Sequence, residues 1–346
     1  MYLDSRRPDS VSFEKNVDED LKRRDFTINA MAYNQSKKLV DLFSGEEDLN
    51  NKLIRCVGSP DERFSEDALR MLRAVRFACV LNFDIEKNTF EAIKHNASRI
   101  EHISKERVQA ELNKILMSSK PSRGIRLLLD SKLLDYVLPE ISRLSGFNQH
   151  NPFHHLELLE HTLCVLDKVE PKLQLRLAAL FHDAGKIDTV TLDENGIGHF
   201  YGHDSVSEEI AKSVLKRLRY SNEIIELTSQ LVRYHMIQAN VIGKKGIQKL
   251  LRIFGKNNIF ELADLHFADS SCTTMEVKED VFRLKIRQVL EENIPFSVKD
   301  LDIDGYDLMN IGAKGKQIGD ILNELLELVS EDVSKNNKNQ LMLYAK

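Results

Sequence analysis

The spacing of apolar residues constrains this chain more than any other feature of its sequence. From about residue 65 onward, apolar side chains recur every three or four residues, as at Leu69, Leu72, Val75, Ile125 and Leu128. Because an α-helix turns once in about 3.6 residues, this spacing places the apolar residues of each helix on one face of that helix. The sequence therefore predicts a mainly α protein from there to its end.

The first 50 residues have a different character. Short β-like runs at residues 11–13 and 39–42 accompany one helical stretch, which predicts a small α/β piece. Farther along, residues 145–152 contain the turn-forming residues expected at a domain junction. Asn195 and Gly196 lie between two β-like runs and predict a hairpin. Three glycines, at 312, 315 and 319, lead into a last long helix at residues 318–333.

Composition sets further limits. The chain has 346 residues, 42% of them hydrophobic, which is enough for two or three domains with cores. Its net charge is −5, so an RNA-binding surface must be a local patch. The four cysteines are far apart and form no CxxC motif, which argues against a zinc knuckle or a disulfide framework and favours a reducing cytoplasm. No run is long and apolar enough for a signal peptide or a membrane span, so we expect no membrane partner.

A polar cluster at residues 23–30, with sequence RRDFTINA, is the first candidate binding site. It puts two guanidinium groups, a carboxylate and an amide within seven residues. Arginines such as Arg24 bind phosphate oxygens bidentately, Asp25 can accept from a sugar hydroxyl, and Asn29 can donate to phosphate. The set suits a nucleoside triphosphate. Taken alone, it is more typical of a charged turn that leads into a helix.

A second cluster, EDALRMLRAVRF at residues 66–77, predicts a helix with Ser65 as its N-cap and two carboxylates in its first turn. Asp67 and Arg70 are three residues apart and therefore neighbours, and they offer an acceptor and donors like those of a base edge. Arg73 and Arg76 continue along the helix, where phosphates can lie. Taken alone, this is an ordinary surface helix with ion pairs.

Together these clusters closely resemble the class II nucleotidyltransferases, which include CCA-adding enzymes and bacterial poly(A) polymerases. Three segments match the family's motifs in order and separation: residues 23–30, the spacing of Asp41, Gly45, Asp48 and Leu49, and residues 66–77. The resemblance implies a mainly α fold that begins with part of a nucleotidyltransferase palm. It also implies that residues 41–49 form a flexible loop that helps the enzyme switch between CTP and ATP.

The same resemblance assigns roles to individual side chains. Asp67 and Arg70 would pair with the incoming base and so act as a protein template for CTP and then ATP. Asp25 would contact the ribose. The triphosphate would be held by Arg24, Arg73 and Arg76.

One part of the family pattern is not found in this sequence. The family holds Mg²⁺ for nucleotidyl transfer with an Asp-x-Asp pair after a glycine turn, upstream of the motifs above. Asp18 and Asp20 form an Asp-x-Asp string, but no glycine turn precedes them, and a solvated charge run is the simpler interpretation. We therefore expect an N-terminally truncated nucleotidyltransferase, or one that is inactive in transfer.

Histidines near predicted helix ends form another motif set. His182 and Asp183 are adjacent and can bind one ion from a helix end. With Lys186 three residues on, which can steady a phosphate oxygen, they resemble the HD phosphohydrolase superfamily. The resemblance implies a bound Mn²⁺, Ni²⁺, Fe or Mg²⁺ acting on phosphate esters, whereas the alternative is a degenerate helical spacer. The predicted ligands, with two histidines that can extend one metal to two, are His161, His182, Asp183, His203, His235 and Asp269.

Basic residues suggest contact with RNA in two places. Residues 105–132 carry seven Lys or Arg against three acids, which predicts a phosphate-binding stripe, although a solvated helix surface explains it nearly as well. Lys244, Lys245, Lys249 and Arg252 form a second group. Residues 301–325 resemble the C-terminal element of CCA-adding enzymes that carry an HD domain.

The sequence thus predicts four parts: a partial palm at residues 1–52, a helical neck that binds nucleotide and RNA at 53–145, an HD domain at 146–275, and a helical RNA-binding tail at 276–346. The predicted function is addition or repair of the 3′-terminal CCA of tRNA from CTP and ATP. Two alternatives stay open: an HD phosphatase or 2′,3′-cyclic phosphodiesterase acting on tRNA ends, and a non-catalytic RNA-binding module. Addition of C only, A only or poly(A), and the oligomeric state, also stay open.

Overall fold

The computed structural model describes residues 16–36, 38–151, 156–274, 280–292 and 294–345. The β-like run at residues 11–13 lies outside these ranges, as does Pro152 of the predicted junction. Helices dominate the described residues, which confirms the mainly α expectation and the small α/β region near the start. None of the described helices is both long enough and apolar enough to cross a membrane.

The helices before residue 150 form the first half of the fold. They are α1 (Val17–Lys22), α2 (Gly45–Asn50), α3 (Pro60–Glu66), α4 (Leu69–Leu81), α5 (Lys87–Asn96), α6 (Lys105–Leu116), α7 (Pro121–Asp130), α8 (Leu134–Val137) and α9 (Pro139–Ser142). The later helices are α10 (Leu158–Lys168), α11 (Leu173–Phe181), α12 (Lys186–Thr189), α13 (His203–Arg217), α14 (Asn222–Tyr234), α15 (Lys244–Ser270, kinked at Gly255), α16 (Val281–Glu291), α17 (Gly305–Asn310), α18 (Lys316–Glu331) and α19 (Lys338–Tyr344).

Short strands pair in twos within the described residues. The antiparallel pair β1 (Met31–Asn34) and β2 (Lys38–Asp41) confirms the β-like run at residues 39–42. A parallel pair joins β3 (Leu53–Ile54) to β4 (Asp84–Ile85). The hairpin of β5 (Thr191–Leu192) and β6 (Gly198–His199) turns at Gly196, whose φ is +75°, and it confirms the predicted Asn-Gly turn.

The chain forms two compact units. The first consists of residues 1–235 and 268–275. Its core includes the apolar face of α4, where Leu69, Leu72 and Val75 are buried as their spacing predicts. The three predicted boundaries between the four predicted parts stay predictions beside this division.

The second unit consists of residues 236–267 and 276–346. Near the C-terminus, α18 packs its apolar side into a separate cluster. Its buried members include Leu301, Leu308, Leu325, Val329 and Leu341. Asp304 caps α17 with its side chain, which accepts the backbone N–H groups of Tyr306 and Asp307. The tail predicted to be helical is therefore helical.

The prediction that Ser65 caps a single helix is wrong. Ser65 lies inside α3, which begins at Pro60 because proline is favoured in the first turn of a helix. That helix ends at Glu66, Asp67 is extended at φ −150° and ψ 103°, and α4 begins at Leu69. The Asp67 carboxylate accepts the Leu69 N–H at 3.1 Å, so Asp67 stabilises the start of α4.

The expectation that the cysteines do not pair is also wrong. Cys164 and Cys272 form a disulfide, with their Cα atoms 6.0 Å apart, although 108 residues separate them in the sequence. The other two cysteines, Cys56 and Cys79, are free and buried. Burial raises the pKa of Cys56 to about 12 and that of Cys79 to about 11, so neither is a reactive thiol near neutral pH.

Candidate nucleotide cleft and candidate metal centre

An open cleft of about 410 Å³ brings the two polar motifs together. It is lined by Arg23, Arg24, Asp25, Asn29, Asp67, Leu69, Arg70, Arg73 and Arg107. Every residue predicted for the nucleotide site is in this set except Arg76. The sequence placed Arg107 only in the basic stripe, and the structure adds it to the cleft through its ion pair with Asp67.

The first motif is fixed to the rest of the unit by its apolar residue. Phe26 is fully buried, forms an isolated β-bridge with Cys56 and packs edge to face against Phe77 at 5.7 Å. Its neighbour Asp25 is 7% exposed. The buried phenylalanine therefore sets the position of the polar residues on either side of it.

The motif of Asp41, Gly45 and Asp48 packs directly onto the first motif. A Cβ at Gly45 would lie 2.3 Å from the Thr27 carbonyl oxygen, so only glycine fits there. The buried carboxylate of Asp48 accepts the Thr27 hydroxyl at 2.7 Å and pairs with Arg55 at 3.0 Å. These contacts hold α2 beside residues 27–29. The role of residues 41–49 as a flexible loop stays a prediction.

Asp25 and Arg73 form an ion pair on one side of the cleft. The Arg73 guanidinium donates from Nε at 2.7 Å and approaches the same carboxylate oxygen with Nη2 at 2.5 Å. The Asn29 amide donates to the other oxygen of Asp25 at 3.3 Å. The pair joins the first motif to α4 and orients Arg73, whose side chain is 34% exposed, at the cleft.

Asp67 and Arg70 lie in the cleft lining but do not pair with each other. Asp67 accepts from Arg107 at 2.7 Å. Arg70 donates to Glu66 at 2.7 Å and to the backbone carbonyl of Arg23 at 3.1 Å. Because each has its own partners, the acceptor and the donors are held in place separately.

Arg76 lies elsewhere. Its guanidinium is 2.7 Å from Glu111, with only 14% and 5% of the two side chains exposed, and 3.8 Å from the centre of the Phe77 ring. Burial lowers the pKa of Arg76, and the Glu111 charge opposes that shift. The structure therefore places Arg76 between α4 and α6, outside the cleft lining.

The six predicted metal ligands converge inside the first unit. They come from α10, the end of α11, the start of α13, the end of α14 and the last turn of α15. Among the described residues, two trios have ligand atoms close enough for one metal ion each. The first is His161, His182 and Asp183, and the second is Asp183, His203 and His235.

Asp183 belongs to both trios and lies between their two pairs of histidines. Its Oδ2 is 3.2 Å from His182 Nε2 and 3.5 Å from His161 Nε2, while its Oδ1 is 3.3 Å from His203 Nε2 and 3.7 Å from His235 Nε2. Asp269 adds an oxygen to the first trio, 3.0 Å from His161 Nε2 and 3.8 Å from His182 Nε2. The two oxygens of Asp183 therefore face different pairs of histidines, Oδ2 the pair in the first trio and Oδ1 the pair in the second.

Backbone carbonyls orient the four histidine rings. The Nδ1 atoms of His182, His203 and His235 lie 2.7 to 2.8 Å from the carbonyls of Ala179, Phe200 and Val232, and that of His161 lies 3.4 Å from Cys272 O. These contacts turn the Nε2 atom of each ring toward the cluster, where it can bind a metal.

Burial and charge act together on this cluster. Burial alone would lower the pKa of His182, but the neighbouring Asp183 charge outweighs it and raises that pKa. Burial opposes ionisation of Asp183, yet His182 and Lys186 hold its pKa well below the usual range. Burial lowers the pKa of His235. Asp183 Oδ2 lies 2.8 Å from Lys186 Nζ, so this buried carboxylate oxygen already faces one cation beside the histidines.

Gly185 permits the close approach that completes the cluster. A Cβ at this residue would lie 2.7 Å from both the His203 carbonyl oxygen and the Ser207 nitrogen. Glycine therefore lets α13 approach the chain just after Asp183, which brings His203 to the shared carboxylate. The donor set of imidazole nitrogens and carboxylates fits a divalent metal.

Other charged residues are neutralised within the protein. Asp20 accepts from Arg23 and Arg24, which lower its pKa, and Asp18 and Asp20 lie on α1, as expected for a solvated charge run. Several basic residues proposed to contact RNA are in ion pairs: Arg107, Lys114, Arg123 and Arg126 in the stripe, and Lys244, Lys245 and Arg252 in the second group.

Comparisons with known proteins decide the family. Family models match residues 1–55 (Poly A polymerase head domain), 82–144 (probable RNA and SrmB-binding site of polymerase A) and 193–345 (tRNA nucleotidyltransferase domain 2). The CCA-adding enzyme of Streptococcus suis is 33% identical, over 100% of this chain and 75% of that protein. The chain belongs to the CCA-adding enzyme family.

Solved structures agree on the fold of this CCA-adding enzyme family member. The Bacillus stearothermophilus CCA-adding enzyme, determined in complex with CTP, matches with a TM-score of 0.70 at 24% identity, over 96% of this chain and 75% of that one. The Thermotoga maritima CCA-adding enzyme, complexed with tRNA, matches with a TM-score of 0.54 at 22% identity, over 95% and 73%. The prediction of a class II tRNA nucleotidyltransferase of the CCA-adding type is confirmed, and the two alternatives are not favoured as its main activity.

Proposed function

We propose that the cleft binds CTP and ATP for CCA addition, with Asp67 and Arg70 reading the base. The observation that carries this proposal is that each of the two side chains is held by its own partners while both line the cleft. A site whose donors and acceptors are fixed in advance binds without a further ordering cost.

The chemistry of the bases explains the choice. Cytosine and adenine each present an amino group beside an unprotonated ring nitrogen, so a carboxylate can accept from the first and a guanidinium can donate to the second. Uracil and guanine present a carbonyl beside a ring N–H, which opposes acceptor to acceptor and donor to donor. The fixed pair therefore selects C and A and rejects U and G.

The remaining cleft residues serve the sugar and phosphates. Arg24, which is half exposed, and Arg73 bind the triphosphate. Asp25 and Asn29 lie beside Arg73, where the ribose next to the triphosphate would be, and they contact its hydroxyl groups. Arg76 is left out of this set because Glu111 holds it. The cleft's two carboxylates, Asp25 and Asp67, are both paired with arginines, so they do not fit Mg²⁺.

The tRNA 3′ end is the proposed partner. Within the stripe at residues 105–132, Lys120 and Lys132 are exposed and lie near the helix ends of α6, α7 and α8. Cations presented in this way bind phosphates without specifying sequence. The same proposal places the enzyme in the cytoplasm, where tRNA is processed.

A second proposal concerns the six predicted metal ligands, which we call the HD cluster: His161, His182, Asp183, His203, His235 and Asp269. Two divalent cations fit it, with Asp183 shared between them, and such ions supply Lewis-acid activation of a phosphate ester and of water. Mn²⁺, Ni²⁺, Fe and Mg²⁺ are the candidates. Lys186, held by Gln149 at 2.9 Å and by Asp183, is buried beside the cluster and can bind a phosphate oxygen. The proposed substrates are phosphomonoesters or 2′,3′-cyclic phosphates at tRNA ends.

Nucleotide binding tests the first proposal. We expect calorimetric titration to show CTP and ATP binding at least about tenfold tighter than UTP and GTP, because one good bidentate pair gives about 1–3 kcal/mol of discrimination. Asp67→Asn should abolish this preference, since an amide can donate as well as accept. The matched control is Glu106→Gln, an exposed acid on α6, which should change nothing. Equal binding of all four nucleotides by the wild type would contradict the proposal.

Metal binding tests the second proposal. We expect Asp183→Asn to abolish Mn²⁺ binding at both sites, because its two oxygens face both trios. Asp193→Asn, which changes an exposed acid on the β5–β6 hairpin, is the matched control and should bind Mn²⁺ as the wild type does. Retention of two Mn²⁺ ions by Asp183→Asn would contradict the assignment.

A further inference from the structure

The Cys164–Cys272 disulfide lies beside the HD cluster. Cys164 lies on α10 one helical turn after His161, and Cys272 lies three residues after Asp269. The disulfide thus joins the helix that carries one metal ligand to the segment that carries another. These two ligands are themselves in contact, with Asp269 Oδ1 3.0 Å from His161 Nε2.

Asp269 reaches the cluster differently from the other ligands. The chain between His235 and Ala268 belongs to the other unit, and only residues 268–275 return to the first. The Cys272 N–H donates to the Asp269 carbonyl at 2.9 Å, so Asp269 and Cys272 form one turn and move together. Whatever fixes Cys272 against α10 also fixes Asp269.

Two polar contacts also join this turn to α10. The Lys168 ammonium donates to the Ser271 carbonyl at 2.7 Å, but that bond is exposed. The His161 ring approaches the Cys272 carbonyl at 3.4 Å, a long hydrogen bond. The disulfide is the covalent member of this set, and it lies between the two polar contacts.

The disulfide is open to small reagents from one side. Cys164 is half-buried and lines a cavity of about 470 Å³, whereas Cys272 is 3% exposed. Three basic residues, Lys120, Arg123 and Arg126, line the same cavity with two acidic ones, Glu160 and Asp167. Because Cys164 lines this cavity, a small thiol can reach its sulfur.

We propose that Cys164 and Cys272 form a redox site that controls whether Asp269 completes the metal cluster. This inference rests on the proposed binding of metal by the HD cluster. The oxidised form holds Asp269 at the first trio, and the reduced form releases the turn of residues 269–272 from α10. Intracellular disulfides are commonly transient and redox-sensing, which agrees with a switch rather than a permanent crosslink.

The exchange balances with low-molecular-weight thiols. A thiolate attacks the Cys164 sulfur, the bond to Cys272 breaks, and Cys272 leaves as a thiolate that takes up a proton. A second thiolate attacks the sulfur now attached to Cys164, which leaves as a thiol. Two small thiols are oxidised to one small disulfide while the protein disulfide gains two electrons and two protons. The reverse reaction uses the small disulfide as oxidant.

Mn²⁺ binding to the full chain, treated with oxidised glutathione or with a phosphine reductant that is then removed, tests the inference. Alkylation in denaturant followed by mass spectrometry reports the state of Cys164 and Cys272. We expect reduction to weaken Mn²⁺ binding by about tenfold, the effect typical of losing support for a metal ligand. Cys164→Ser should bind Mn²⁺ like the reduced wild type under both treatments. Cys79→Ser, which removes a free buried cysteine, should keep the redox response.

Asp269→Asn separates a specific effect from a general loss of structure. If the disulfide acts through Asp269, this variant should bind Mn²⁺ weakly and equally in both redox states, with an unchanged circular dichroism spectrum. Equal Mn²⁺ affinity of oxidised and reduced wild type would overturn the inference while leaving the metal site intact. Absence of Mn²⁺ binding in both states would instead overturn the proposed metal site.

Discussion

Arg76 and Glu111 form a buried ion pair, and its expected effect is on stability rather than on nucleotide binding. Arg76→Met leaves Glu111 buried with Lys114, at 3.1 Å, as its other ion-pair partner among the described residues. We expect a loss of about 3 kcal/mol in the free energy of unfolding, at the low end of the range for breaking a buried pair. Urea denaturation measures it.

The matched variant for Arg76 is Arg24→Met. Arg24 is 51% exposed and its pair with Asp20 contributes little to stability, so unfolding should change by less than about 1 kcal/mol. Affinity for CTP should fall in this variant and stay at the wild-type value in Arg76→Met below the unfolding transition. The reverse pattern would return Arg76 to the phosphate site.

Asp41 gives a residue-scale prediction that depends on pH. Its carboxylate accepts the N–H groups of Phe43, Gly45 and Glu46 at the start of α2, and although burial opposes ionisation these bonds lower the pKa of Asp41. Asp41→Ala should cost about 1 kcal/mol near neutral pH, as for other lost caps.

The sign of the Asp41 effect follows from its lowered pKa. Stabilisation by the carboxylate is fully present above its unfolded pKa of 3.8 and is lost as the pH falls through the lower folded value. The difference between wild type and Asp41→Ala, measured by urea unfolding, should therefore shrink as the pH falls below 3.8. A difference that is constant with pH would mean that the charge plays no part.

At the scale of elements, the contact between α13 and the chain after Asp183 depends on one glycine. A Cβ at Gly185 would force α13 away from the shared carboxylate, because the two nearest atoms belong to the backbone of α13 and the third is the Cβ of Val206. We expect Gly185→Ala to cost about 1–3 kcal/mol and to weaken Mn²⁺ binding at least about tenfold. Gly319→Ala is the control, since a Cβ there meets nothing within 4 Å, and it should be neutral or slightly stabilising. Unchanged Mn²⁺ affinity in Gly185→Ala would show that α13 can shift without moving His203.

Local patterns predicted the elements well where a single element decides the outcome. The three- and four-residue spacing predicted the buried face of α4, and Asn195-Gly196 predicted a hairpin, because both signals act over a few residues. The break at Asp67 was missed because Pro60 starts a separate helix whose end competes with the cap expected at Ser65. Two adjacent signals of similar strength cannot be ranked without the packing of α3.

Contacts between distant elements were predictable only where residue chemistry was distinctive. The six residues predicted as metal ligands could be singled out because His and Asp at helix ends have few other shared roles, and the fold brings all six together. Their role as ligands stays a prediction. Cys164 and Cys272 carry no local signal of pairing, since 108 residues of chain lie between them. Arg73 and Arg76 have the same spacing signal on α4, yet only Arg73 lines the cleft. Their different partners, Asp25 and Glu111, come from other elements.

At the scale of the whole molecule, the two units should respond differently to metal. All six predicted ligands belong to the first unit, so an ion that binds only the folded cluster stabilises that unit, by about 2.7 kcal/mol at a hundredfold excess over its dissociation constant. Hydrogen–deuterium exchange with and without Mn²⁺ measures this by segment. We expect slower exchange in α10, α11, α13 and α14, where the ligands lie, and unchanged exchange in α16 to α19 of the second unit. Asp183→Asn should remove the protection, because both trios lose their common ligand. Equal protection of α18 and α14 in the wild type would mean that the two units unfold as one, and the metal would then report on the stability of the entire chain.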